Sequence, residues 1–557
     1  MNFFEEVKKC ITLNIEEALK IAMDSGDLPR VDKYSFTVEV PKDASFGDYA
    51  SNAAMVGARL FKKPPQEIAG IIKQNMSLNE WIEDVAVKGA FINFKISAKY
   101  GLDVVNGILA AGENYGKSNY GKAKKVLVEF VSANPTGPMH IGNARGGACG
   151  DCLASIFTYA GYCASREFYV NDAGNQINKF GLSLSLRYQQ LYKDNIEMPE
   201  DSYLGEDIVE HARNFAAIHA DTYLKVSEDE RRAALVEYAL PINVEKLESD
   251  LRKYRIIYDK WFFESELHKN GAVTRIIQLL KDSGHTFEES GAVWFRATEF
   301  GCDKDFVLVR ANGVPTYIVP DIAYHYDKLV TRGYDKAIDV LGADHHGYVP
   351  RLKAALMALG IDVSKLDVVI VQMVRLVRDG EIIKASKRSG KAITLTTLLE
   401  EIPTDAARFF FNLREPNSHF DFDLDLSVTK SNQNPVYYVQ YAHARICSIL
   451  EALKNDNIQI VQEVKCPVCL TIKETALIKV LAGFTDEIIH AADEYDVSRI
   501  TKYAIELATA FHSFYNECRV ICEDTNVMHF RIALILAVKQ TIENALSILK
   551  VTAPDKM

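Results

Sequence analysis

The segment that begins at Lys125 constrains the fold most. An apolar run, KVLVEFVS (125–132), leads into a loop rich in Asn, Pro, Thr and Gly, and a helical pattern follows from about residue 144 to 160. A strand that feeds a tight loop and then a helix aims backbone N–H groups at one point beyond the end of the strand. The helix dipole makes that point favourable for anions. Such a unit is typical of a parallel, doubly wound sheet.

The remaining patterns divide the 557-residue chain, which is too long for one core, into three parts. Residues 1–112 mix helical and alternating patterns, which predicts an N-terminal α+β domain, with YSFTVEVP (34–41) among its strands. Residues 113–430 alternate strands and helices, which predicts a Rossmann-like parallel-sheet catalytic core with a largely helical insertion at about 175–285. Residues 431–557 predict an all-helical bundle. We therefore expect a multidomain α/β protein.

Charge and composition narrow the class of protein. A formal net charge of -11 argues against a general nucleic-acid coat, but it allows a local basic face. No apolar run approaches the roughly 20 residues that span a bilayer, and the first residues lack the pattern of a signal peptide. We expect a cytoplasmic protein with no membrane partner.

Four of the ten cysteines, the pair in CPVC (466–469) together with Cys518 and Cys522, could be imagined as zinc ligands. Their unequal spacings favour reduced, mostly buried thiols instead. We predict no resident metal.

Two short motifs carry the chemistry. His140 lies between two glycines at the predicted helix mouth, where it could donate a hydrogen bond to a phosphate. Downstream, KASKRSGK (384–391) places four cations in eight residues, which suits the charge of a nucleotide's phosphates. Each motif alone is weak, because a lone loop histidine or a solvated basic turn is common.

Taken together, PTGPMHIGN and KASKR resemble the HIGH and KMSKS signatures of class I aminoacyl-tRNA synthetases. REFYVNDAGNQI, TYIVPDIAYHYDK, LGADHHGYVPRLKAAL and NPVYYVQYAHARI are similar to arginyl-tRNA synthetases of the bacterial type, and the resemblance covers most of the chain. Two positions depart from the signatures: Asn143 replaces the second histidine of HIGH, and Ala385 replaces the methionine of KMSKS.

The resemblance implies an activity and a set of partners. Members of the family ligate L-arginine to tRNA(Arg) through an arginyl-adenylate, with ATP and Mg²⁺, and release AMP and pyrophosphate. They generally need bound tRNA to activate arginine. The N-terminal domain would touch the tRNA elbow at the D-loop, the helical bundle would bind the anticodon, and the chain would be a monomer.

The resemblance also implies roles for particular residues. The catalytic residues would be His140, Lys384 and Lys387. ATP would be bound by Pro138, His140, Gly142, Asn143, Lys384, Ser386 and Lys387. Arginine would be bound by Ser132, Asn134, Glu264, Tyr317, Asp321 and Asp344. The anticodon would be met by Asn434, Tyr438, Gln440, Tyr441, His443 and Arg445, of which Tyr438 and Tyr441 would pass for core residues without the resemblance.

Three other interpretations stay open at this stage. The chain could be another class I synthetase, such as a cysteinyl or glutamyl enzyme. It could be a non-catalytic tRNA-binding or amino-acid-sensing relative, although such proteins usually lose His140, Lys387 or a tRNA domain. A small-molecule adenylyltransferase would not need the two flanking domains.

Overall fold

The computed structural model describes residues 2–343, 347–383 and 393–557. The N-terminal part is an antiparallel sheet in the order β1-β2-β4-β3, covered by helices. Its strands are β1 (Val38–Glu39), β2 (Tyr49–Ser51), β3 (Ile82–Lys88) and β4 (Phe91–Ile96). Its helices are α1 (Phe3–Ser25), α2 (Ala53–Phe61), α3 (Pro65–Asn75) and α4 (Ala98–Ala111). The predicted strand at 34–41 forms only at Val38–Glu39.

The central part alternates strands and helices. Its strands are β5 (Lys125–Phe130), β6 (Cys163–Val170), β7 (Lys260–Phe263), β8 (Thr286–Glu289), β9 (Ala292–Phe295), β10 (Phe306–Val309), β11 (Lys336–Gly342), β12 (Leu366–Val371), β13 (Val374–Arg378), β14 (Glu381–Ile382) and β15 (Phe420–Asp423). Its helices are α5 (Ile141–Tyr159), α6 (Gly174–Gln190), α7 (Glu206–His219), α8 (Glu228–Lys253), α9 (Glu264–Lys269), α10 (Ala272–Asp282), α11 (Ile318–Tyr326), α12 (Val349–Ala358), α13 (Leu395–Glu401), α14 (Thr404–Phe411) and α15 (Leu424–Val428). A π-helical turn, Asp327–Thr331, continues α11.

A parallel sheet in the order β12-β11-β5-β6-β7 forms the middle layer. The chain runs outward from β5 through β6 to β7, and it then returns to place β11 and β12 on the other side of β5. The strand order therefore reverses between β5 and β11, and ligands of such sheets bind at the carboxyl ends of the strands beside that point. The parallel, doubly wound core predicted from the sequence is confirmed.

Glycines let α5 lie close against the sheet. A Cβ atom on Gly150 would come 2.3 Å from the ring of Phe130, and one on Gly147 would come 2.9 Å from Ile256. Any larger residue at Gly150 would push the helix away from β5. Since α5 starts at the end of the loop that follows β5, this close packing fixes where the helix mouth opens.

Two segments differ from the sequence-based expectation. The strands at 292–309 do not join the parallel sheet but form a separate antiparallel sheet, β10-β9-β8. The apolar residues that follow Tyr317 would suit the end of a strand by their sequence, but they begin helix α11. A short apolar run suits either a buried strand or a buried helix, and only tertiary packing decides between them.

The C-terminal part is helical, as predicted. Its helices are α16 (Pro435–Asn455), α17 (Ile472–Ala482), α18 (Phe484–Glu494), α19 (Ser498–Glu517) and α20 (Thr525–Leu549). Within the described residues, α20 alone is long and apolar enough to cross a membrane, but 72% of its apolar window is buried in the fold. It packs against α4, α5, α16 and α19, as the central helix of a bundle does.

Candidate active site

A cleft of about 2020 Å³ opens at the carboxyl ends of β5 and β11. Many helices, strands and loops contribute to its walls, and most of the predicted catalytic, ATP-binding and arginine-binding residues that the structure describes lie among them. Those that line it are Ser132, Asn134, Pro138, His140, Asn143, Glu264, Tyr317 and Asp321. Four predicted residues, Asp344, Lys384, Ser386 and Lys387, lie outside the described residues.

His140 is the residue that immediately precedes α5, and its side chain is exposed to the cleft. The dipole of α5 gives this end of the cleft a positive potential, although the N–H groups of Ile141 and Asn143 already donate to the carbonyls of Ile393 and His140. Gly142 follows in the first turn, and a Cβ atom there would meet nothing within 4 Å. The first turn of α5 therefore has open space at Gly142, although Gly142 is not among the residues that line the cleft.

The residues that directly follow the second motif, from Ile393 onward, return to the same place. Ile141 donates a backbone hydrogen bond of 3.1 Å to Ile393, and Leu395 donates one of 2.9 Å to Met139. Thr394 forms a β-bridge with His140 and caps α13. The chain that leaves the basic segment is thus anchored at the helix mouth, more than 240 residues further along the sequence than His140 itself.

The turn after β5 has an unusual backbone. Val131 has a φ of 69° and Ser132 a φ of 43°, in the left-handed region that β-branched residues rarely adopt. The Ser132 hydroxyl donates to Glu129 at 2.9 Å and accepts from the backbone N–H of Tyr169 at 3.1 Å. These bonds hold the strained turn open, so that Asn134 and the following loop reach the cleft.

On the opposite wall, Glu264 begins α9 directly after β7. Burial raises the pKa of its carboxyl group, while hydrogen bonds from Tyr169 and His268 work against that rise. The amide of Asn171, in the orientation that satisfies its own neighbours, donates to Glu264 at 3.1 Å. The carboxylate is therefore held by polar groups on one side and faces the cleft on the other.

Asp321 lies in the first turn of α11, four residues after Tyr317, which precedes the helix. Because the segment is helical, a spacing of four residues places Tyr317 and Asp321 on the same face. The ring of Tyr317, 70% exposed, stacks on that of Tyr348 at 5.8 Å. Burial and the neighbouring Asp321 carboxylate raise the pKa of Tyr348, so its hydroxyl stays a hydrogen-bond donor.

Sequence reasoning missed a set of buried charges at the floor of the cleft, three of which, Glu129, His325 and Asp339, line it. Glu129, Glu167 and Asp339 lie on three neighbouring strands, and Lys328 and His325 approach from α11 and its π-helical turn. The available signal was an acidic residue inside an otherwise apolar strand, as in VLVEFV and KAIDVL. A charged residue in such a position is rarely buried unless it is paired.

In the helical domain, three predicted anticodon residues are buried and already paired. Asn434 caps α16 and donates to the carbonyls of Ser427 and Thr429. Gln440 donates to Asp405 and to the carbonyl of Thr552, both at 2.9 Å. His443 is within 3.0 Å of both Glu543 and the carbonyl of Pro554. This corrects the expectation that these three side chains face RNA, because their polar groups stabilise the packing of α16.

The other three predicted residues are half-buried on one face of α16. Arg445 donates to the hydroxyl of Tyr441 at 2.9 Å and lies 4.4 Å from the ring centre of Tyr515. Tyr438 and Tyr441 both pack against His512. These residues form a mixed aromatic and basic patch, which we call the α16 patch: Tyr438, Tyr441, Arg445, His512 and Tyr515.

All ten cysteines are unpaired. Within the described residues, Cys466, Cys469, Cys518 and Cys522 do not come together as metal ligands. His443, Cys447 and Asp555 do lie within 4.8 Å of one another. However, burial raises the pKa of Cys447 to about 12, so its thiol stays protonated, and both ring nitrogens of His443 have protein partners. Neither side chain is therefore free to ligate a metal.

A cleft at the reversal point of a parallel sheet, with a His-Ile-Gly helix mouth bonded to residues 393–395 and a helical domain behind it, defines a class I aminoacyl-tRNA synthetase. Family comparison agrees. The description "tRNA synthetases class I (R), catalytic domain" matches residues 104–423, "Arginyl tRNA synthetase N terminal domain" matches residues 7–96, and "DALR anticodon binding domain" matches residues 439–557. The chain belongs to the arginyl-tRNA synthetase family.

Individual relatives support the same assignment. The chain is 51% identical over 560 residues to the arginine–tRNA ligase of Caldanaerobacter subterraneus subsp. tengcongensis, and both chains are covered completely. It is 48% identical over 562 residues to that of Acetivibrio thermocellus, again with complete coverage. The Thermus thermophilus arginyl-tRNA synthetase structure shares the fold, with a TM-score of 0.73 and 22% identity over 98% of this chain and 99% of that one.

Proposed function

We propose that the chain ligates L-arginine to tRNA(Arg) through an arginyl-adenylate, with ATP as the second substrate and AMP and pyrophosphate as products. The observation that carries this proposal is the arrangement of the cleft. The helix mouth, with Thr394 beside it, forms one wall, and the carboxylates Glu264 and Asp321 form another.

Arginine would bind with its guanidinium between the two carboxylates. A guanidinium is a planar fork of donors, and ionised carboxylates are its best partners. Tyr317 would cover the planar group, while Ser132, Asn134 and Asp344 would hold the α-amino and carboxylate ends. Glutamate or cysteine would leave Glu264 and Asp321 facing an acid or an uncharged thiol, which disfavours the other class I substrates.

In the first step, an oxygen of the arginine carboxylate attacks the α-phosphorus of ATP, and the bond from that phosphorus to pyrophosphate breaks. The protein's task is to position the reactants and to stabilise charge. His140 would donate to the phosphate in the transition state, and Gly142, Asn143 and Pro138 would leave room for the nucleotide. Lys384, Ser386 and Lys387 would meet the departing pyrophosphate.

Mg²⁺ would enter with ATP and neutralise part of the phosphate charge. It usually keeps several waters and binds mainly through substrate phosphates, so it needs few protein ligands. Asn143 and Asp207 line the cleft near the helix mouth and offer oxygen donors that fit this need.

In the second step, a hydroxyl of the terminal tRNA ribose attacks the adenylate carbonyl, and AMP leaves. We assign residues 1–112 to contact with the tRNA elbow, 113–430 to catalysis and 431–557 to the anticodon. The α16 patch supports the last assignment, because aromatic rings and arginine stack on unpaired bases.

We also infer a cytoplasmic monomer without a membrane partner. Ten unpaired cysteines fit a reducing compartment, and the apolar helix α20 is largely used inside the bundle. Light scattering after size exclusion should give a mass near 62.4 kDa, and a doubled mass would contradict the monomer.

The test of the activity is ATP–pyrophosphate exchange with each amino acid, with and without tRNA, followed by aminoacylation of total tRNA with labelled arginine. We expect exchange with arginine that depends on tRNA. Exchange with cysteine or glutamate alone would favour another class I synthetase, whereas tRNA(Arg) binding without arginylation would favour a non-catalytic relative.

A further inference from the structure

Three acidic side chains lie side by side on the central strands of the parallel sheet. Asp339 on β11 is the register partner of Glu129 on β5, which is the register partner of Glu167 on β6. All three are more than nine-tenths buried. Register partners on neighbouring strands project to the same face, where like charges repel. Arg332 neutralises Glu167 through two hydrogen bonds.

The other two carboxylates are bridged by cations from α11 and its π-helical turn. The fully buried Lys328 donates to Glu129 and, at 2.8 Å, to Asp339. His325 places Nε2 2.7 Å from the second oxygen of Asp339. π-Helical turns are rare and often occur at functional sites. Here the turn follows directly on the helix that carries His325 and places Lys328 between two strands.

These buried contacts form a continuous series, which has one end at each side of the cleft. At one end, Nδ1 of His325 lies 2.8 Å from the backbone carbonyl of Asp321 and 3.1 Å from its carboxylate. At the other end, Glu129 accepts the hydrogen bond of Ser132 at 2.9 Å. The order of contacts is therefore Asp321, His325, Asp339, Lys328, Glu129 and Ser132.

Both ring nitrogens of His325 must donate for this series of contacts to be continuous. A neutral imidazole has one N–H, whereas the imidazolium has two. Burial and Lys328 lower the pKa of His325, but the carboxylates of Asp339 and Asp321 outweigh them and raise it to about 10. Glu129 also interacts with the charge of His325, and the neighbouring ring of Tyr324 carries no charge at neutral pH.

We propose that His325 is a positioning residue that fixes Asp321 at a set distance from Ser132 and thereby selects the length and charge of the amino acid. The inference rests on the proposed function, in which Asp321 receives the guanidinium and Ser132 the α-amino acid end. The methylene stem of arginine sets the distance between its guanidinium and its α-amino end. A rigid link between Asp321 and Ser132 therefore excludes amino acids with a longer stem.

The test compares arginine with homoarginine, which is one methylene longer, and with citrulline, its neutral isostere. In full-length His325→Gln with saturating tRNA, we expect the arginine KM to rise about tenfold, with the ATP KM unchanged. The preference for arginine over both analogues should fall by a similar factor. His285→Gln is the control, because His285 pairs with Glu299 at 2.6 Å outside the cleft.

Unchanged arginine KM and preference in the folded variant would overturn the proposal. So would an equal loss in kcat and in both KM values with the preference kept, which indicates a merely structural role. If the variant does not fold, wild-type protein labelled with ¹⁵N-histidine decides. His325 should be recognised as the imidazolium that is still doubly protonated at about pH 8.5. Its ¹⁵N chemical shift should change when arginine is added but not when ATP is added. An unchanged shift in protein that uses arginine would overturn the inference. The proposed function is tested separately: wild-type protein that gives no arginine-dependent ATP–pyrophosphate exchange with tRNA would refute that function and not this inference alone.

Discussion

At the scale of single residues, Glu264 links burial to pH dependence. Burial raises the pKa of its carboxyl group, so on acidification it takes up a proton before an ordinary glutamate does. A protonated Glu264 attracts a guanidinium less. We expect kcat/KM for arginine to fall in mildly acidic solution and Glu264→Gln to lower it at neutral pH while flattening that fall. Glu266→Gln, an exposed change on the same helix, should leave the profile as in the wild type.

We expect Lys387 to interact with negative charge that develops only during the reaction. In the proposed mechanism its partner is the departing pyrophosphate, so its loss should affect the transition state more than bound arginine. We expect Lys387→Ala to slow single-turnover adenylate formation by about 10²–10³-fold, with a much smaller change in the arginine KM. Equal losses in both quantities would contradict this role.

At the scale of elements, α16 separates stability from recognition. Asn434 caps the helix, so Asn434→Ala should lower the free energy of unfolding by about 1 kcal/mol and leave tRNA affinity unchanged. Tyr441→Ala, in the α16 patch, should instead weaken tRNA(Arg) binding about tenfold with little change in stability. Thermal melts measure the stability of the two variants, and filter binding at fixed salt measures their affinity for tRNA(Arg). A loss of affinity in Asn434→Ala without a loss of stability would restore Asn434 to the RNA-facing set.

The same scale shows what the sequence could predict. β5 and α5 were predictable because their apolar run and helical pattern are local, and so was the cleft that they create. The link at the floor of the cleft was not, because Glu129 and Lys328 are 199 residues apart and meet only through strand order. The start of α11 was not predictable either, because the apolar residues Ile318 and Val319 suit a strand or a helix equally. The pairing of Gln440 and His443 likewise depends on distant partners from α14, α20 and the C-terminal tail, whereas Asn434 pairs with Ser427 and Thr429 shortly before it.

At the scale of the whole molecule, Arg408 on α14 joins the helical domain to the catalytic core. Its fully buried guanidinium donates to the carbonyl of Leu549 at the end of α20, to that of Tyr254, and to Asp151 in the middle of α5. Asp151 keeps a second partner, Arg166. A single side chain thus ties the last turn of the bundle to the helix whose first turn opens onto the cleft.

Arg408→Met keeps the bulk of the side chain but removes every one of these donors. Breaking a buried ion pair costs about 3–5 kcal/mol, and the cost here falls on the junction between the two domains. We expect calorimetry to give one unfolding transition for the wild type and two for Arg408→Met, with the helical domain melting first. Arg531→Met is the matched control, because Arg531 pairs with the buried Glu474 inside the bundle and should lower the melting temperature without splitting the transition. A single transition at the wild-type temperature in Arg408→Met would show that packing of α20 against α5 and α4 couples the domains without this junction.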